Sequence, residues 1–167
     1  SGVWGVRSGE GGLGCVGGGV GPTGGTSGRS GGTAAGAATD HTAVGGLVGY
    51  SADGASIVGS HATGNVSGGD RSFAGGLAGQ SYAIAESYAT GSVNVGSHSD
   101  AGGLAGLGDN ISQSFATGSV TGQDRSFAGG LAGGGHTVSD SYATGAVQSG
   151  KRGLAGGLVG LGEGISR

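Results

Sequence analysis

Five positions at nearly constant spacing carry the residues best suited to holding an anion: His41, Arg71, His98, Arg125 and Arg152. Just ahead of them run Asp40, Asp70, Ser97, Asp124 and Lys151. Arginine and histidine alternate over the first four members, and Ser97 separates Asp70 from Asp124. If the spacing stacks equivalent positions about 4.8 Å apart, alternation roughly doubles the distance between like charges and brings it near the Debye length. The column therefore has two readings. One is a solvated edge patterned against self-repulsion; the other is a stripe that binds anionic glycans or sulfate.

Two further columns invite chemistry. His61, Tyr88, Phe115 and Tyr142 form an aromatic series that either stacks sugars or stiffens the chain as an internal ladder. Thr33, Thr63, Thr90, Thr117 and Thr144 recur beside it. Regular threonines on a flat face could order water, as on an ice-binding surface, whereas a Thr-Gly corner would use the hydroxyl to cap local backbone groups. The variable positions Asn65, Ser92, Ser119 and Ala146 look solvent-facing. Counting by twos puts the threonines and aromatics on the same side, unless a corner breaks the alternation.

Catalytic and metal signals are weak, and no catalytic residue, metal site or cofactor is assigned. The histidines at 41, 61, 98 and 136 occupy different places in the pattern, Cys15 is the single cysteine, and no Cys/His ligand spacing exists. Calcium-binding Gly-Gly-x-Gly-x-Asp repeats are absent around Asp53 and Asp109. The pairs Asp100 with His98 and Asp140 with His136 keep a polysaccharide-acting β-helix enzyme as the last alternative. Catalysis, however, needs a singular cluster in a cleft, and most polar residues here belong to columns.

What positions these residues is a repeat. The phrase Ala74-Gly75-Gly76-Leu77-Ala78-Gly79 recurs five times, and its leucines, Leu47, Leu77, Leu104, Leu131 and Leu158, lie 30, 27, 27 and 27 residues apart. No Lys-Ser/Thr follows it, so it is no phosphate-cradling loop. Ile57, Ile84, Ile111 and Val138 precede each threonine, and Val66, Val93, Val120 and Val147 follow it. The three extra residues of the first interval fall around Ser51-Ala52-Asp53-Gly54, where a turn can lengthen. Each repeat reads as three short segments.

A period in the twenties, β-rich segments and corner glycines predict an all-β chain: a single β-solenoid of the commoner right-handed class, with about five to six coils and a 27-residue repeat. Leucine, isoleucine and valine columns fill its lumen. Residues 1–32 are a Gly-rich segment that is either a leader or a degenerate first coil, and residues 33–167 hold the regular repeats. In 1–32, Val16 to Gly21 loosely matches Val44 to Gly49, and Ser1 to Gly5 loosely matches Ser141 to Gly145.

With 48 glycines and 5% aromatic residues the chain has no material for a conventional core, so repeated backbone hydrogen bonding must offset the entropy of ordering it. Seven Lys+Arg against ten Asp+Glu leave no basic footprint for nucleic acid or an anionic membrane. No apolar run long enough to insert in a membrane and no signal-peptide core is present, and the chain begins at Ser1. It reads as a processed or excised piece, soluble as it stands. Its two ends fall at nearly the same phase of the repeat, which implies head-to-tail self-association or neighbouring repeats of a longer chain.

The phrase Gly-Gly-Leu-(Val/Ala)-Gly followed by Ser-(Tyr/Phe)-Ala-Thr-Gly-x-Val resembles the GLUG-motif repeats of large bacterial surface proteins of the adhesin and filamentous-haemagglutinin type. The resemblance covers residues 33–167. It implies a secreted, cell-surface β-solenoid with structural or adhesive work, either as a stalk or as a filament, and it carries no catalytic residues.

Overall fold

Alternating short apolar and polar residues between glycines leave a backbone that can bury few side chains, and it closes instead into stacked coils. The computed structural model describes residues 4–5, 14–17, 31–32, 36–51 and 54–166. It is all-β, with no helix among the described residues, and forms a β-solenoid of about four turns. Part of the difference from the expected five to six falls on residues outside those described, as does the boundary drawn at 32/33.

Each coil contributes one strand to each of four sheets. One sheet, here the Phe wall, stacks residues 42–45, 73–75, 100–102, 127–129 and 154–156 in parallel, with Phe73 opposite Asp100 and Asp100 opposite Phe127. The long-strand wall stacks 48–50, 78–85, 105–112, 132–139 and 159–162. The aromatic wall holds 61–62, 88–89, 115–116 and 142–143, and the valine wall holds 66–68, 93–95, 120–122 and 147–148. Ala78 lies opposite Val48 but Ala83 lies opposite Ser56. The register therefore slips by three residues between Tyr50 and Ser56, where the insertion was expected.

The Gly-Leu phrase was expected to make one corner and one segment. It makes two strands and the turn between them, so a coil has four sides rather than three. Leu47, Leu77, Leu104 and Leu131 are fully buried at this turn, and even the turn peptides join the ladder, with Leu104 N–H donating to Leu131 O at 2.8 Å. The physical reason for the pair of glycines is close approach. A Cβ on Gly102 would lie 2.6 Å from Ala132 Cα, and one on Gly103 would lie 2.8 Å from Ala116 Cβ. The first glycine lets the Phe wall meet the long-strand wall backbone to backbone, and the second receives the alanine of the Ser-aromatic-Ala-Thr phrase.

This waist divides the interior in two. Leucine, isoleucine and alanine columns fill one compartment, including Leu104, Ile111 and Ala116, and valine and alanine columns fill the other, including Val93, Ala101 and Val120. A single lumen holding all three column types was the sequence expectation. The close glycine contact is what separates them.

Toward the N-terminus Gly14–Gly17 runs parallel to Thr42–Gly45 with Val16 opposite Val44, and Gly31–Gly32 runs parallel to His61–Ala62. Trp4–Gly5 pairs antiparallel with Val16–Gly17. The loose match of Ser1–Gly5 to Ser141–Gly145 rests mostly on residues 1–3, which lie outside the described residues.

Candidate functional site

The basic column is built by backbone conformation. His41, Arg71, His98, Arg125 and Arg152 have φ of 57, 54, 59, 60 and 59°, the left-handed region that turns the chain from the valine wall into the Phe wall. All five side chains are exposed on one edge. Each of the first four is followed by a hydroxyl residue that turns inward: Thr42, Ser72, Ser99 and Ser126 are buried. Ser72 N–H donates to Ser99 Oγ at 3.0 Å, and Ser99 N–H to Ser126 Oγ at 3.2 Å, so the serines form a ladder that satisfies the corner. At Gly153 the ladder lacks its hydroxyl, and Ser149 Oγ donates to Ser126 O instead, at 2.8 Å.

The acidic residues of the same edge are occupied in a similar way. Asp40 Oδ1 accepts from Asp70 N–H (2.8 Å), Asp70 Oδ1 from Ser97 N–H (2.7 Å) and Asp124 Oδ1 from Lys151 N–H (2.8 Å). Each carboxylate thus pins the next coil. The cationic groups lie above them with few partners; the Arg125 guanidinium donates to His98 Nε2 at 3.2 Å. Ser97, His98, Asp124, Arg125, Lys151 and Arg152 surround a shallow cavity of 390 Å³ along this edge. Arg71, Arg125, Lys151 and Arg152 are all of the Lys and Arg among the described residues.

A second left-handed corner, unseen in the sequence, joins the long-strand wall to the aromatic wall. Gly59, Glu86, Gln113 and Asp140 have φ of 59, 51, 47 and 46°, and each precedes a serine of a second ladder, such as Ser87 N–H donating to Ser114 Oγ at 3.2 Å. The two halves of a coil are therefore alike: Arg71-Ser72-Phe73-Ala74 and Glu86-Ser87-Tyr88-Ala89 both place a left-handed residue, an inward serine, an outward ring and an inward alanine. That likeness was the available signal.

The aromatic residues do form a ladder. His61, Tyr88, Phe115 and Tyr142 stack at 5.1, 5.0 and 5.1 Å between centroids, with planes within 10° of parallel. Because Tyr88 and Phe115 are stacked on both faces, they offer solvent their edges, and at the C-terminal end of the ladder a sugar would find an open ring face on the outer side of Tyr142, which is 54% exposed. Thr63, Thr90, Thr117 and Thr144 lie exposed beside the ladder, just before the bends at Gly64, Gly91, Gly118 and Gly145. Their hydroxyls make no hydrogen bond among the described residues. Thr33 lies outside the described residues.

One residue departs from its column. Along the outer Phe wall, Asp100 stands between Phe73 and Phe127, with Leu154 one coil further on. It lines a groove of 260 Å³ where the Phe wall meets the long-strand wall, with Leu107, Phe127, His136, Leu161 and Glu163. Burial pushes its carboxyl up to about 6 from an ordinary 3.8. It has no hydrogen-bonding or ionic partner among the described residues. Of the two pairs noted in the sequence, neither forms: His136 Nδ1 lies 3.1 Å from Asp109 Oδ1, not against Asp140, and His98 meets Arg125 rather than Asp100. No group of three or more His, Cys, Asp or Glu residues among those described could hold a metal ion, and no described helix is long and apolar enough to cross a membrane.

Four sheets whose successive coils pair in parallel, wound from one repeat with polar ladders at the corners, define a β-solenoid repeat protein. Within that class, residues 40–67 match the family model described as the GLUG motif, consistent with a GLUG-repeat protein. The matched segment is one turn, from the corner at Asp40-His41 round to the valine wall, and its leucine, serine and valine columns recur in the following coils. No curated protein and no solved structure gave a match.

Proposed function

We propose that the protein is a structural element outside the cell: a stiff stalk or filament segment of a cell-surface protein, with adhesion carried on its repetitive sides. The observation that supports this most is the continuity of the inter-coil bonding. Strands, turns and both serine ladders all hand their hydrogen bonds to the next coil, a construction that resists bending and leaves most polar columns engaged in holding the rod together. Catalysis is no part of the proposal. On the outermost described coil Leu154, Leu161 and Ile165 are 46, 52 and 55% exposed, whereas Val138, the interior neighbour of Ile165, is 1% exposed. A further coil, from a second copy or from the same polypeptide, would cover them.

The test is antibody labelling of intact and of permeabilised cells, paired with negative-stain microscopy of the native material. Labelling of intact cells and rods or fibres are the expected results. Labelling only after permeabilisation would remove the extracellular assignment, and flexible, beadless chains would remove the stalk.

A second reading rests on the confinement of all described Lys and Arg to one edge. Anionic glycans would bind there, and their binding to an immobilised sulfated polysaccharide would weaken with salt and on combined Arg71→Ala and Arg125→Ala substitution. Binding unchanged by both would end this reading.

A further inference from the structure

The groove and the cationic edge flank the outer face of one sheet, the Phe wall. His98 and Arg125 stand at the corner two residues before Asp100 and Phe127 of the Phe wall. On that edge the Asp70 and Asp124 carboxylates are taken up by backbone N–H groups while Arg125, Lys151 and Arg152 are exposed, and the edge runs beside the acidic groove on the same outer face. The groove has apolar walls, Leu107, Phe127 and Leu161, and two carboxylates, Asp100 and Glu163, that lack partners among the described residues. The carboxyl of Asp100 is held in its protonated form to unusually high pH by that burial, a state that a cation on an apolar stem would relieve. The cations of the chain's own edge have the matching chemistry.

We propose that two copies of this chain associate side by side, each laying its edge of Arg125, Lys151 and Arg152 into the other's Asp100–Glu163 groove. A two-fold axis parallel to the solenoid brings stripe over groove and groove over stripe in one operation, giving a self-complementary contact with the two solenoids running parallel. A two-fold across the solenoid would set stripe on stripe, and like charge opposes it. The contact is closed at two copies, unlike end-on stacking, and does not depend on where in or outside the cell the protein works.

The test is sedimentation of the full chain at about 20 mM and about 500 mM NaCl. A dimer is expected at low salt, weakened roughly tenfold or more at high salt as the charges are screened. Asp100→Arg, with Glu163→Arg as a second groove variant should the first misfold, and the edge variant Arg125→Asp/Arg152→Asp should each be monomeric alone. A mixture of a groove variant and the edge variant should dimerise, because both contacts then pair opposite charges. A monomer at low salt, a dimer indifferent to salt and to the charge reversals, or a mixture that stays monomeric would each overturn the proposal. Association that grows without limit and persists at high salt would instead report end-on stacking and would equally refute it.

Discussion

Replacing Asp100 should stabilise the protein, and the gain should depend on pH. In the folded chain the carboxyl titrates near 6, against 3.8 ordinarily, because the walls of the groove strip water from it. The folded state thus keeps its proton to higher pH than the unfolded state does. Stability is highest with respect to this group below about pH 4, falls as pH rises through 4–6, and is level above. A difference of about two pH units at about 1.4 kcal/mol each gives a ceiling near 3 kcal/mol. The carboxylate retains an open side toward solvent, which reduces the expected effect to about 1–2 kcal/mol. Asp100→Asn should therefore match the wild type near pH 4 and exceed it by about 1–2 kcal/mol at pH 7, a rise in Tm of roughly 2–8 °C for a chain of this length. Asp100→Phe should do better still, since its ring would fall between Phe73 and Phe127 and adds about 0.5–1.5 kcal/mol of ring contact. Thermal melts followed by circular dichroism from pH 4 to 8 read the effect. Equal melting of wild type and Asp100→Asn at pH 7, or a difference that does not change with pH, would refute the desolvation argument.

Other substitutions test the corners and the core. Ser99→Ala strands the buried Ser72 N–H, which donates to Ser99 Oγ at 3.0 Å, and should cost about 1–3 kcal/mol in denaturant titration; a smaller loss would mean that the ladder is ornamental. Arg125→Gly should be more stable than Arg125→Ala by about 0.5–1 kcal/mol, because the residue sits at φ 60°, where a Cβ is strained; no difference would contradict the left-handed corner. Leu104→Asp should cost more than about 4 kcal/mol and abolish the folded β-signal, since it buries a charge in a fully enclosed column, whereas Asp109→Ala loses only an exposed contact to His136 and should stay within about 0.5 kcal/mol of wild type.

The coil was legible in the sequence because its constraints are side-chain constraints. A column that must be leucine or isoleucine on the inside repeats visibly, and a three-residue insertion shows as a jump between Leu47 and Leu77. The split of Gly-Gly-Leu into two strands was not legible. It depends on a backbone meeting a backbone at Gly102 and Ala132, and glycine in a chain this rich in glycine marks no particular position. The same limit hid the left-handed corners. Arginine and glutamate at positive φ look in sequence like ordinary surface charges, and only the shared serine-ring-alanine sequel betrays that Arg71 and Glu86 do the same job. The surroundings of Asp100 were hidden for the opposite reason: in sequence it pairs with His98 and looks solvated, and its place between two phenylalanines follows only from the stacking.

The left-handed corners have a consequence for how such a surface can change. Eight of them are occupied by histidine, arginine, glutamate, glutamine or aspartate, and what the backbone asks of each is the turn rather than the side chain. The inward serine that follows carries the hydrogen bonding, so the corner residue can be exchanged for another polar one at small cost. Each coil thus offers two editable letters on an otherwise fixed frame. Adding coils lengthens the text, substituting corners rewrites it, and neither requires a new fold.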